Sequence, residues 1–253
     1  MTGIDPTSAD GTGFGPLGAK CGRSRSVRPR TVIGMESEEP KAPKITKVRL
    51  GALTTPDPRD VLDGDMREGE RYVRADFTDR DLTSVSFTGC EFDQVQLLDA
   101  DLRGAHFTGG RWTDVDAPVL RGPRSAWRNM IIERSRIGSA ELYESNWRDV
   151  TIADSKLGFL NLRGSEWRDV IISDCGIDEL DLNGATATRL VFRNCKVGTL
   201  DLTNAKLTDV DLRGADLSTI NGLAGIAGAT ISEDQLTQMS RLIARHLQLN
   251  VAG

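Results

Sequence analysis

From Phe77 to Leu217 every fifth residue of the chain is apolar or Gly, with no insertion or slip, for 29 consecutive units. The series opens Phe77, Leu82, Phe87, Phe92, Leu97, Leu102, Phe107 and Trp112, and runs on through Trp127, Trp147 and Trp167 to Leu217. Residues two before these centres are small or aliphatic, from Ala75, Val85 and Cys90 to Val210 and Ala215, with Arg80 as the charged exception. An α-helix cannot carry that beat, because five residues advance about 500° and the apolar stripe would wander around it. Two inward residues around one outward residue are the alternation of a strand. The two left over, often Arg-Gly, Thr-Gly, Arg-Asp or Thr-Asp, suit a corner. Each unit is one side of a polygon, and an unbroken run of them reads as an all-β solenoid.

A slower period counts the sides. Ser125-Ala126-Trp127-Arg128-Asn129 returns twenty residues later as Ser145-Asn146-Trp147-Arg148-Asp149, and twenty later again as Ser165-Glu166-Trp167-Arg168-Asp169. Ile132, Ile152 and Ile172 form a second such series, and Leu142, Leu162, Leu182 and Leu202 a third. Twenty residues per turn means four sides, so 29 units make seven and a quarter turns. At roughly 4.8 Å per strand the rod is about 35 Å long.

Ala75-Asp76-Phe77-Thr78-Asp79, Ala100-Asp101-Leu102-Arg103-Gly104 and Ala215-Asp216-Leu217-Ser218-Thr219 resemble the consensus of pentapeptide repeat proteins. The resemblance implies a right-handed quadrilateral β-helix, here of about seven coils with a C-terminal capping α-helix. Members with assigned roles include quinolone-resistance and toxin-immunity proteins that bind bacterial type II topoisomerases and imitate duplex DNA. Those relatives often carry a loop projecting from the coil, and no residues are inserted in this one.

The chain divides into a disordered tail over 1–44, rich in Gly, Ser and Pro and then Arg, an N-terminal cap over 45–69, repeats over 70–219, and a C-terminal cap and helix over 220–253. Ile45 to Leu53 could supply a short strand, and Tyr72 stands in register as a thirtieth centre. Met35 is a candidate first residue. Residues 1–34 hold five of the 32 Lys and Arg and two of the 37 Asp and Glu, so the remainder carries 27 positive and 35 negative charges, a net of −8. That balance disfavours direct nucleic-acid binding and suits a basic partner. No apolar run long enough for a membrane span or a secretory signal is present, which points to the cytoplasm.

Cys90, Cys175 and Cys195 lie two before a centre, where small core residues belong, and Cys175 and Cys195 should stack one turn apart. With two histidines, His106 and His246, and no nucleophile and base pairing to infer, the expectation is no enzyme, no metal and no cofactor. An enzyme would need a pocket around Pro118 to Pro123, a stretch whose two prolines and underfilled centres Ala117 and Gly122 predict a bulged side.

Outward residues supply the candidate sites. Asp81, Asp101, Glu141, Asp181 and Asp201 form an acidic column, readable as a partner surface or as strand residues kept soluble. Arg128, Arg148 and Arg168 form a basic one, readable as an acidic-partner patch or as local salt bridges with the adjacent Asn129, Asp149 and Asp169. Ser232 and Gln235 predict a capping box, with Leu236, Met239, Ile243 and Leu247 on the inner face of the helix. Leu242, Leu249 and Val251 remain as candidate contacts of a homodimer. The favoured function is a non-catalytic scaffold for an unidentified protein. The alternative is a DNA mimic that binds gyrase or topoisomerase IV and alters fluoroquinolone susceptibility.

Overall fold

A computed structural model describes residues 39–251. Strands pair in parallel at an offset of twenty residues, as in Asn146 between Ala126 and Glu166, and Leu157 between Ile137 and Ile177. The architecture is the right-handed quadrilateral β-helix with a C-terminal helix. Asp76, Gln96, Asp116, Arg136, Lys156, Gly176, Lys196 and Asp216 stand one above another, and with the pairings that extend both ends the solenoid makes about eight turns rather than seven and a quarter. At the front, Met66–Glu68 pairs with Ser86–Thr88, and Tyr72 is buried and pairs with Phe92. At the back the beat slips, and Val210 pairs with Ala229 at an offset of nineteen.

Four sides follow from the side chains at their centres. The tryptophan side carries Trp127, Trp147 and Trp167; the isoleucine side Ile132, Ile152 and Ile172; the glycine side Ile137, Leu157 and Ile177 with Gly138 and Gly158; the leucine side Leu142, Leu162, Leu182 and Leu202. Three corners turn through residues with positive φ, such as Asn129 (50°), Arg134 (51°) and Glu144 (58°). Asp and Asn recur there because a short polar side chain tolerates the left-handed region. The fourth corner, from the glycine to the leucine side, is left-handed only at Asp79 and Asp99 and extended from Asp116–Arg121 onward. Where it is extended the coils press together: a Cβ on Gly158 would lie 2.0 Å from the Gly138 carbonyl oxygen.

The interior is a column of rings. Phe87, Phe107, Trp127, Trp147 and Trp167 stack at centroid spacings of 5.4, 4.3, 4.9 and 5.1 Å. Each stacked indole needs a partner for its N–H, and the serine two residues earlier supplies it: Trp127 donates to Ser125 Oγ (2.9 Å), Trp147 to Ser145 and Trp167 to Ser165 (both 2.8 Å). Those serines in turn donate to the carbonyls of Gly122, Leu142 and Leu162, so a polar relay is closed inside an apolar core. Trp112 has Gly110 at the equivalent place, and its buried Nε1 has no partner. Cys175 and Cys195 are buried free thiols on neighbouring coils, donating to the Ser173 and Arg193 carbonyls.

Both ends are closed. At the front, Thr54 bridges to Glu70, Val61 is fully buried, and Arg80 donates to the Val61 carbonyl at 2.6 Å, which explains a charge at an inward position. At the back, the helix Glu233–His246 carries the expected capping box, and Gln235 also donates to the Leu212 (2.8 Å) and Ala215 (2.7 Å) carbonyls, sealing the last coil. The inner face of that helix is rotated from the expected one. Gln235 and Met239 are buried while Leu236 and Leu247 are exposed, because the Gln235 bonds fix the helix about its axis.

Two further expectations are corrected. The Pro118 stretch is not bulged: Asp116–Arg121 pairs regularly with Arg136–Glu141, with Pro118 at the corner position that the ladder skips. Leu142 and Leu102 fill the space that Gly122 leaves. Ile45 to Leu53 forms no strand. The expected disordered tail falls outside the described residues as far as residue 38, but residues 39–48 run as an extended strap along the corner between the tryptophan and isoleucine sides. The N–H groups of Lys41, Lys44 and Thr46 donate to Asp209 (3.2 Å), Asp169 (2.8 Å) and Asp149 (2.8 Å), and Val48 is buried.

Candidate functional site

The acidic column on the leucine side is occupied with its own backbone. Asp81, Asp101, Asp181 and Asp201 each accept the N–H two residues on, from Thr83, Arg103, Asn183 and Thr203. The side chain and amide of Thr83 hold the Asp81 carboxyl below its usual range. Asp101 also pairs with Arg103, and Asp181, only 2% exposed, with Arg163 at 2.6 Å. Glu141 is exposed, and among the described residues its carboxylate accepts no hydrogen bond and makes no ion pair. The chemistry of the repeat explains the recurrence: an Asp one before the centre closes the following turn.

The basic column behaves in the opposite way. Arg128, Arg148 and Arg168 are exposed, stacked in adjacent coils by the Trp ladder, and make no ion pair or side-chain hydrogen bond among the described residues. The local salt bridges expected of them are absent because the neighbouring carboxylates look elsewhere. Asp149 accepts the strap at Thr46, and Asp169 accepts the strap at Lys44 and both Nε and Nη2 of Arg189 at 2.6 and 2.7 Å. Arg189 foremost, with Lys44 helping, holds the Asp169 carboxyl below its usual range against the opposing effect of burial. The arginines thus stand beside carboxylates that are already engaged.

They border a shallow depression of about 330 Å³ floored by the edges of Trp147 and Trp167 and walled on the other side by Asn146, Glu166 and Thr186. A second depression, of about 400 Å³, lies on the opposite glycine side between Arg136, Lys156 and Asp178, where Gly138, Gly158 and Gly176 leave the surface bare. Arg136, Lys156 and Lys196 are also exposed and unpaired among the described residues. Sequence reasoning passed over that column, although its members stand at multiples of twenty residues. Of the candidate dimer residues, Leu249 and Val251 are exposed, whereas Leu242 packs against the core and belongs to the cap.

His106 is exposed on the strand His106–Thr108 and His246 ends the helix. Among the described residues no group of three His, Cys, Asp or Glu converges on a metal site, and no helix is long and apolar enough to cross a membrane.

The family model described as pentapeptide repeats matches residues 73–109 and 188–221, in eight copies. No curated protein matches. Among solved structures, a trypsin-treated form of QnrB1, a plasmid-mediated fluoroquinolone resistance protein, aligns at 19% identity over 81% of this chain and 99% of its own, with a TM-score of 0.36. Full-length QnrB1 aligns at 20% identity over 76% and 97%, with a TM-score of 0.34. HetL, a pentapeptide repeat protein involved in heterocyst differentiation regulation from the cyanobacterium Nostoc sp. strain PCC 7120, aligns at 15% over 68% and 91%, with a TM-score of 0.29. Overlap this loose transfers neither a partner nor an activity.

Proposed function

We propose that this chain, which belongs to the pentapeptide repeat family, works as a non-catalytic scaffold that presents the tryptophan side of its coil to another protein. The observation that supports this reading is the unpaired column of Arg128, Arg148 and Arg168 on a regular, outward-facing sheet. A solenoid side is flat and rigid, so recognition on it comes from side chains held at fixed spacing and not from a closing cleft. The same regularity leaves the two histidines on separate elements, His106 on a strand of the coil and His246 at the end of the terminal helix.

Photo-crosslinking side chains at Thr188 on the tryptophan side and at Thr203 on the leucine side test it in cells of the source organism. The scaffold reading expects one or a few defined protein adducts from Thr188 and none from Thr203. Adducts from neither position would remove it.

The second reading, a DNA mimic acting on gyrase or topoisomerase IV, is supported by the net charge of −8 over residues 35–253. It has to work with an acidic column in which Asp101 and Asp181 are already paired to arginine. A supercoiling assay with purified gyrase, with and without fluoroquinolone, tests it, and neither inhibition nor protection at micromolar protein would end it. Exposed Leu249 and Val251 support association of two copies through the C-terminal segment, which a monomeric mass in light scattering would exclude.

A further inference from the structure

The basic strip on the tryptophan side has ends. Along the outward column that follows the centres, the order from front to back is Thr88, Thr108, Arg128, Arg148, Arg168, Thr188, Thr208. Guanidinium groups therefore fill three successive coils and are bounded on both sides by neutral, β-favouring threonines. Three like charges at about 4.8 Å spacing repel one another, and no carboxylate among the described residues lies within ion-pair reach of them. Nothing in the fold requires arginine there, since threonine holds the same position in the coils before and after.

We propose that this strip is a binding site for a short, extended acidic peptide segment of a partner protein, seated lengthwise in the depression beside Arg128, Arg148 and Arg168. The proposal rests on the scaffold reading and deepens it. Guanidinium forks engage carboxylates two bonds at a time, and the planar group keeps its donors aligned without further ordering. From Arg128 to Arg168 the strip is roughly 10 Å long, the reach of three or four extended residues, enough for two or three carboxylates. The bounded length argues against a nucleic-acid strand, whose phosphates would continue past Thr108 and Thr188 over a chain whose residues 35–253 carry a net charge of −8. Asn146 and Thr186 on the opposite wall offer donors and acceptors to the peptide backbone. Glu166, which accepts from Asn146 at 3.1 Å, is the one carboxylate lining the depression and opposes the ligand.

The strap is part of the device. By taking up Asp149 and Asp169, it leaves Arg148 and Arg168 available to an outside anion.

Fluorescence anisotropy on the full chain, with labelled hexaglutamate, hexaglutamine and hexathymidylate as probes, tests the site. Hexaglutamate is expected to bind with an affinity that falls as salt rises, and hexaglutamine not to bind. Arg148→Gln should weaken hexaglutamate by about tenfold or more, the scale of a lost charge-assisted bond. Arg148→Lys should recover part of that loss, Glu166→Gln should tighten binding several-fold, and Arg136→Gln on the far side should leave it unchanged. Circular dichroism confirms that each variant is folded. Equal affinity for wild type and Arg148→Gln, tighter binding of hexathymidylate than of hexaglutamate, or no binding of hexaglutamate would each overturn the proposal. The two readings separate cleanly in the crosslinking experiment. An adduct at Thr188 that survives Arg148→Gln keeps the scaffold and removes the acidic-segment site, whereas no adduct from wild type removes the scaffold whatever hexaglutamate does.

Discussion

The front coils that match the family model, residues 73–109, and the coils behind them that do not, 110–187, stack in one unbroken register, yet they are built differently. In the front coils the core is a packing of Tyr72, Phe77, Phe87, Phe92 and Phe107 with edge-on and stacked contacts mixed, and the strands are three residues long. In the central coils it is a tryptophan stack tied to buried serines, with strands of six to eight residues and a corner that closes on glycine. Register is therefore set by the spacing of inward residues and not by the consensus at the corners. A coil can lose the family's corner chemistry and still carry the fold.

The largest expected effect probes that corner. Gly158→Ala places a methyl group 2.0 Å from a backbone oxygen, so it should cost about 3 kcal/mol or more in chemical denaturation, while Gly176→Ala, with nothing within 4 Å, should change stability by less than ~0.5 kcal/mol. Equal costs would mean that the central corner is not tight. Next comes the serine relay. Ser145→Ala orphans the Trp147 N–H and should cost about 1–3 kcal/mol. In the front coils Ala105→Ser should cost less, since the new hydroxyl can donate to the Leu102 carbonyl as Ser125 does to that of Gly122.

A smaller difference separates the two classes of tryptophan. Trp112→Phe removes an N–H that has no partner, and should be about 1 kcal/mol less destabilising than Trp167→Phe, which breaks a made bond. The smallest effect is the strap. The Asp169 carboxyl lies below its ordinary value of 3.8 in the folded chain, so its contribution is present above that pH and is lost as pH falls through the lower folded value. Amide exchange at Lys44, which donates to Asp169, should accelerate over that acid range ahead of exchange in the tryptophan ladder. Simultaneous loss of both would show that the strap has no separate stability.

Much of this was legible because the coil repeats itself. The twenty-residue return of Ser-x-Trp-Arg fixed the four sides, placed Trp127, Trp147 and Trp167 inside and set Arg128, Arg148 and Arg168 in a column. What escaped reading was what happens between distant residues. Asp181 looks like a free surface acid in sequence and is buried against Arg163, eighteen residues away. Asp149 and Asp169 look like partners for the arginines beside them, but their direction is set by corner φ values of 60° and 58° and by amides more than a hundred residues earlier. Pro118 signals a break by composition, and causes none because it falls where the ladder makes no bond. Local pattern reports the repeat, and it is silent about elements that cross it.

The strap is such an element. In a solenoid each coil touches its neighbours alone, and stability adds up as a chain of nearest-neighbour steps. A segment that reaches from Asp149 to Asp209, the last of these 168 residues from its partner Lys41, breaks that arithmetic. During synthesis residues 39–48 emerge before any coil exists, and their full docking surface is complete only when the coil holding Asp209 has closed. The earliest part of the described chain thus cannot complete its docking until nearly all of the coils have formed.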